Sequence, residues 1–128
     1  KKRTLESISH LLGDQMATLD GKELFNALIN REKLGSTGFG DGIAIPHCRL
    51  ANCTQVTGAL VRLATAVDFD AIDQQPVDLL FVLLVPLQAT DEHLQILATL
   101  ATSFGKPEFR SNLREAADAR AMYQIAIA

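Results

Sequence analysis

Three histidines, two cysteines and a crowd of glycines mark where this chain can do chemistry. His47 is the most constrained of them. It follows Ile43-Ala44-Ile45-Pro46, and the proline fixes its own φ while pushing Ile45 into extended geometry, so the imidazole stands on stiff backbone. An ordinary histidine is mostly neutral at cytosolic pH. One ring nitrogen then keeps a lone pair while the other is anchored by a hydrogen bond, which suits a nucleophile, a base or a metal ligand. The plainer alternative is a histidine that only finishes a strand. Just upstream, Gly35-Ser36-Thr37-Gly38-Phe39-Gly40-Asp41-Gly42 holds four of the eight glycines. Successive backbone N–H groups in such a turn form a concavity for anions. Gly38 and Gly40 are the candidate backbone donors. Thr37 either adds a hydroxyl or bonds its own turn.

Two further side chains have both a structural and a chemical reading. Arg31 closes a predicted helix just before Leu34-Gly35 turns the chain, where a cation complements the macrodipole. A planar guanidinium there can also grip phosphoryl oxygens with parallel hydrogen bonds. His93 falls in the first turn of another predicted helix, where free N–H groups favour anions. Arg49 alternates onto the same side of an extended strand as His47, as a docking or substrate-charge group or a solvated arginine. His10 reads as a surface or packing residue.

Other chemistries fit poorly. The glycine stretch lacks the lysine of a P-loop, and its spacing is not that of a dinucleotide fingerprint. Cys48 and Cys53 form a C-x4-C pair with no second cysteine pair, so no metal is expected from them with His47 and His93. Asp68, Asp70, Asp73 and Asp78 lack EF-hand spacing and read as turn and edge residues. No cofactor is implied.

The positioning elements follow from periodicity. Leu5, Ile8, Leu11 and Leu12 predict a helix over 2–12, ended by Gly13. Asp20 caps a helix starting at Gly21, with Glu23 three residues on and a buried stripe of Leu24, Phe25, Leu28 and Ile29. Strands are predicted near 43–45, 56–63 and 78–85, with a short edge strand at 67–69. Helices are predicted after Thr90, at Pro107 and at Asp118, with Phe109, Leu113, Met122, Tyr123 and Ile125 closing the core. Helices alternate with strands, which predicts an α/β fold: one domain over 1–128, a mixed β-sheet flanked by helices on both faces. The abrupt charged start predicts a further N-terminal segment.

Composition sets the outer bounds. With 128 residues, 48% hydrophobic and 21% charged, the chain has the makings of an ordinary globular core. Its net charge of −3, with no basic block beyond Lys1-Lys2-Arg3, argues against nucleic acid as a partner. The longest apolar run, Leu79 to Val85, falls far short of the ~20 residues of a membrane helix, so no membrane insertion is expected. Two cysteines without scaffold spacing suit a cytoplasmic location.

The run REKLGSTGFGDGIAIPHCRL, residues 31–50, resembles the phosphorylation-site region of the fructose, mannitol and nitrogen-regulatory class of enzyme IIA domains of the bacterial phosphotransferase system. DLLFVLLVP at 78–86 and DEHL at 91–94 resemble that family's central strand and following helix, in the same order. The resemblance implies a mannitol-type IIA fold and a phosphoryl group received on His47, through Nε2, from a histidine phosphocarrier protein. It implies Arg31 beside that histidine and His93 across the site, unmodified, holding the ring or the phosphate. REKLGSTG, IAIPHCRL and PVDLLFVLLVP look most like the nitrogen-regulatory subclass, which controls transporters or kinases through its phosphorylation state. Two alternatives stay open: a fructose- or mannitol-type IIA that feeds a IIB domain, and an interaction module whose His47 is never modified.

Overall fold

The structure is a computed structural model that describes residues 1–16, 19–51, 56–87 and 91–122, with the backbone alone at 91–94. Its contacts divide the chain into two compact units, Lys1–Ala89 and Thr90–Ala128.

The first unit opens with α1 (Lys2–Gln15) and α2 (Gly21–Leu34). Leu5, Ile8 and Leu12 are buried at helical spacing along α1. Gly13 does not end this helix but lies inside it. A Cβ at Gly13 would stand 2.8 Å from the Gly21 backbone nitrogen, so the glycine is there to let α1 and α2 approach closely. α2 starts at Gly21 because the Asp20 carboxylate accepts from the Lys22 N–H at 2.9 Å, satisfying one of the orphan donors of the first turn.

Five strands follow: β1 (Gly38–Gly40), β2 (Ile43–Ala44), β3 (His47–Leu50), β4 (Thr57–Val67) and β5 (Val77–Pro86). The sheet is mixed. β1 pairs antiparallel with β2, β2 and β3 each pair parallel with β5, and β4 runs antiparallel to β5. β5 is the hub, with Leu79, Leu80, Val82, Leu83 and Leu84 all buried, as both faces of a central strand require. Sequence periodicity placed the second long strand at 56–63. It extends to Val67, past a register shift after Arg62, and Phe69 is a core residue beyond it and not part of an edge strand.

β2 and β3 behave as one strand interrupted by a proline. Ile43 lies opposite Leu79 and His47 opposite Leu83, so the register against β5 is unbroken across Ile45-Pro46. The Pro46 carbonyl still accepts from Leu83 N–H at 2.9 Å; what the proline removes is its own donor. Ala44, Cys48, Leu80, Val82 and Leu84 share one face of the sheet and form a single buried cluster with Leu5, Ile8, Leu12, Leu24 and Leu28 of α1 and α2. Each fully buried leucine contributes roughly 1.5–3 kcal/mol relative to exposure. Alternation then sends His47 and Arg49 to the opposite face from Cys48.

In the second unit, α3 (Asp91–Phe104) and α4 (Pro107–Glu115) are joined by a short turn. Pro107 occupies the first turn of α4, and the Phe104 and Phe109 rings meet edge to face at 5.3 Å. Asp118 accepts from the Ala121 N–H at 2.8 Å, as an N-cap does; Tyr123 and Ile125 lie outside the described residues. Among the described residues, no helix is long and apolar enough to cross a membrane.

Candidate functional site

The stretch 35–42, expected as a glycine-rich turn, leads into a hairpin of β1 and β2. Gly40 pairs with Ile43 across the two-residue turn Asp41-Gly42, whose φ angles of 57° and 81° are both positive. That is the type I′ geometry favoured by an Asp-Gly pair, because its twist matches the flanking strands. Asp73, from the loop before β5, accepts from the Asp41 N–H at 2.9 Å and the Gln75 N–H at 3.1 Å. Those two donors, that of Asp41 first, hold its carboxyl below the ordinary range. The hairpin is thus clamped from a second loop. It is also seated tightly, since a Cβ at Gly38 would stand 2.8 Å from the Cα and Cβ of Ala71.

The hairpin delivers the chain to His47. Ile45 N–H donates to the Thr37 carbonyl at 3.0 Å, and the Ile45 carbonyl lies 2.8 Å from His47 Nδ1. A carbonyl can only accept, so Nδ1 carries the proton. On the other side of the ring, Arg31 Nε donates to His47 Nε2 at 3.3 Å. A guanidinium can only donate, so Nε2 presents its lone pair. The Nδ1–H imidazole is the form that satisfies both bonds. The ring is half-buried, neither sealed in the core nor loose in solvent.

Arg31 reaches His47 from the last turn of α2. Its Nη1 also donates to the Gly35 carbonyl at 2.8 Å, fixing the guanidinium plane while its Nε faces the imidazole. One side chain at the end of α2 therefore bonds both the turn that follows the helix and the His47 ring. Glu32, its neighbour, was not singled out by the sequence. Its buried carboxylate accepts the Thr37 hydroxyl at Oε1 and the Thr37 N–H at Oε2, 3.2 Å, and pairs with the Lys1 ammonium at 2.9 Å. Lys1 in turn lies 3.4 Å from an Asp70 oxygen and 5.2 Å from the centre of the Phe69 ring.

The remaining candidates are distributed as follows. Thr37 directs its hydroxyl and N–H to Glu32, and the Gly38 N–H donates to Ser36 Oγ at 2.9 Å, so these donors serve the hairpin itself. Gly40 stands at the end of β1 with φ 107°, a conformation that favours glycine. Arg49 is exposed on β3, two residues from His47. His93 belongs to α3 in the second unit, and its side chain lies outside the described residues, as does Cys53. Cys48 is buried. Among the described residues, no three His, Cys, Asp or Glu are grouped to hold a metal ion.

A half-buried imidazole with one nitrogen anchored and the other presented to a cation is suited to taking up an anionic electrophile. Comparison with known proteins places the whole chain in a family. Residues 1–127 match the family model described as "Phosphoenolpyruvate-dependent sugar phosphotransferase system, EIIA 2". A "Nitrogen regulatory protein" of Pseudomonas aeruginosa is 51% identical over 127 residues, 99% of this chain and 82% of that protein. The crystal structure of the nitrogen regulatory protein IIA-Ntr from Neisseria meningitidis superposes with a TM-score of 0.90 at 45% identity, covering 98% of this chain and 85% of that one. IIA mannitol from Escherichia coli shares the fold alone, with a TM-score of 0.76 at 16% identity over 97% of this chain and 86% of its own. With an α/β mixed sheet, a family match along nearly its whole length and close nitrogen-regulatory relatives, the chain belongs to the EIIA 2 family of the phosphotransferase system, in its nitrogen-regulatory class.

Proposed function

We propose that this protein is a phosphocarrier and regulator that accepts a phosphoryl group on His47 Nε2 from a histidine phosphocarrier protein and signals nitrogen or metabolic state by its phosphorylation. The observation that carries this reading is the ring held between Ile45 O and Arg31 Nε, with its lone pair on the side of the guanidinium.

In the transfer, Nε2 attacks phosphorus in line with the donor's N–P bond. The Nε2–P bond forms as the donor bond breaks, and the released electron pair returns to the donor imidazole. Nδ1 keeps its proton, and the Ile45 carbonyl supports the positive charge that builds on the ring. The Arg31 Nε–H, already aimed at Nε2, turns to an equatorial oxygen of the arriving group, while Nη1 stays on Gly35 O and holds the plane. Arg49 adds positive charge to the docking face, and His93 keeps the unmodified supporting role that the family resemblance implies. Thr37, Gly38 and Gly40 act as supports through the hairpin. The phosphoramidate formed stays reactive enough to be passed on.

The upstream partner is a histidine phosphocarrier protein, the downstream partners are regulated transporters or kinases, and the setting is the cytoplasm. The sugar-system description of the matching family favours a second reading, in which the phosphoryl group passes to a IIB domain for fructose or mannitol uptake. The decisive experiment is labelling from radioactive phosphoenolpyruvate through the two upstream proteins. Wild-type protein should be labelled and His47→Ala should not. Equal labelling of the variant, or none of the wild type, rejects the proposal. Labelled protein that hands its phosphate to a IIB domain would select the second reading.

A further inference from the structure

Glu32 is buried, with 8% of its surface exposed, and its two oxygens meet three donors. A carboxylate is taken out of water only where such partners replace it, so the arrangement is a built one. Its effect on the hairpin follows from strand geometry. Gly38 lies opposite Ala44, which puts Thr37 opposite Ile45. The Ile45 N–H donates to the Thr37 carbonyl, and residues facing each other in that way in an antiparallel pair normally exchange both bonds. The return bond, from Thr37 N–H to Ile45 O, is not made. Thr37 N–H goes to Glu32 Oε2, and the Ile45 carbonyl goes to His47 Nδ1.

We propose that Glu32 is a positioning residue for His47: by drawing the Thr37 N–H out of the ladder, it reserves the Ile45 carbonyl as the acceptor that fixes the ring in its Nδ1–H form. Adjacent residues of the last turn of α2 then set both nitrogens of one imidazole. Arg31 addresses Nε2 directly, and Glu32 addresses Nδ1 through Thr37 and Ile45. Lys1 balances the buried carboxylate, so Glu32 is held without drawing on the Arg31 guanidinium. The consequence for phosphotransfer rests on the function proposed above. The hydrogen-bond relay does not.

The test is imidazole 15N NMR of the full chain with labelled histidine. Wild-type His47 should show the Nδ1–H pattern. Glu32→Leu, which fills the same space without an acceptor, should return the Thr37 N–H to Ile45, weaken the Nδ1–H bond to the now shared carbonyl and move the His47 nitrogen shifts away from the wild-type pattern. Glu32→Gln still accepts the N–H through its amide oxygen, and Thr37→Val removes only the hydroxyl, so both should keep the wild-type pattern. Unchanged His47 nitrogens in Glu32→Leu overturn the proposal. Should that variant fail to fold, cross-hydrogen-bond couplings in wild type decide: coupling of His47 Nδ1–H to the Ile45 carbonyl supports it, and coupling of Thr37 N–H to that carbonyl refutes it. In a protein that is labelled by the phosphocarrier, Glu32→Leu should slow labelling by roughly 10- to 100-fold, the scale of a misplaced reacting group. Wild-type protein that is never labelled ends the phosphocarrier reading and leaves the NMR result to judge Glu32.

Discussion

Replacing Arg31 by lysine separates the two roles of its guanidinium. Nη1 holds the Gly35 carbonyl at 2.8 Å while Nε faces His47 Nε2 at 3.3 Å. An ammonium on a flexible stem keeps the charge but cannot hold both positions in one plane. Settled on Gly35, it would, under the proposed mechanism, leave the phosphoryl oxygens one charge-assisted hydrogen bond short. Such a bond is worth roughly 1.5–3 kcal/mol, and a loss of that size in the transition state slows transfer by roughly 10- to 150-fold. Stability should change little, by about 0.5 kcal/mol, because a cation remains at the end of α2. Single-turnover transfer from a radiolabelled phosphocarrier, followed by rapid quenching, measures the rate, and thermal denaturation checks the fold. A rate within about twofold of wild type, where a tenfold loss corresponds to 1.36 kcal/mol, would show that the planar fork is not used in transfer.

Three other outcomes are expected. His93→Ala should label more slowly yet still carry a single phosphate on His47; a phosphate mapped to position 93 contradicts that division of roles. Gly13→Ala should be destabilised by about 1–3 kcal/mol in denaturant melts, although alanine is the better helix former by about 1 kcal/mol, because the new Cβ meets Gly21 backbone atoms at 2.8 and 3.0 Å. A more stable variant would mean that the α1–α2 crossing can open. Asp73 has its folded pKa lowered by the Asp41 and Gln75 N–H groups, so its contribution is complete above the ordinary value of 3.8 and is lost as pH falls through the lower folded value. Asp73→Asn should therefore be less stable near neutrality and lose stability less steeply below about pH 4; an unchanged acid slope would remove Asp73 from the hairpin clamp.

The legible parts of the fold were those with a local cause. Asp20 stands where a cap must stand, and seven consecutive apolar residues from Leu79 have no better place than the middle of a sheet. Gly13 misled because a glycine that ends a helix and one that admits a neighbouring helix look alike in one dimension. Only the contact with Gly21 separates them. Asp41-Gly42 carries a hairpin signal that the neighbouring glycines mask in one dimension. Arg31 and His47 lie sixteen residues apart in the chain, and no periodicity sets their distance. The sequence brought them together only through family resemblance. Glu32 offered no signal at all. A carboxylate beside a lysine and an arginine at a helix end reads as solvated, and its burial depends on Lys1 and Thr37 arriving from elsewhere in the chain.

The unbroken register of β2 and β3 on either side of Pro46 has a further consequence. His47 is mounted on main chain that is stitched to β5, the largely buried strand that pairs with β2, β3 and β4, with Leu83 directly opposite. Backbone held in this way cannot slide or swing without unpicking the core. Under the proposed phosphotransfer, a group added to the imidazole changes charge and donor pattern on a fixed mount, so a partner that tells the two states apart would read electrostatics and not a rearranged shape.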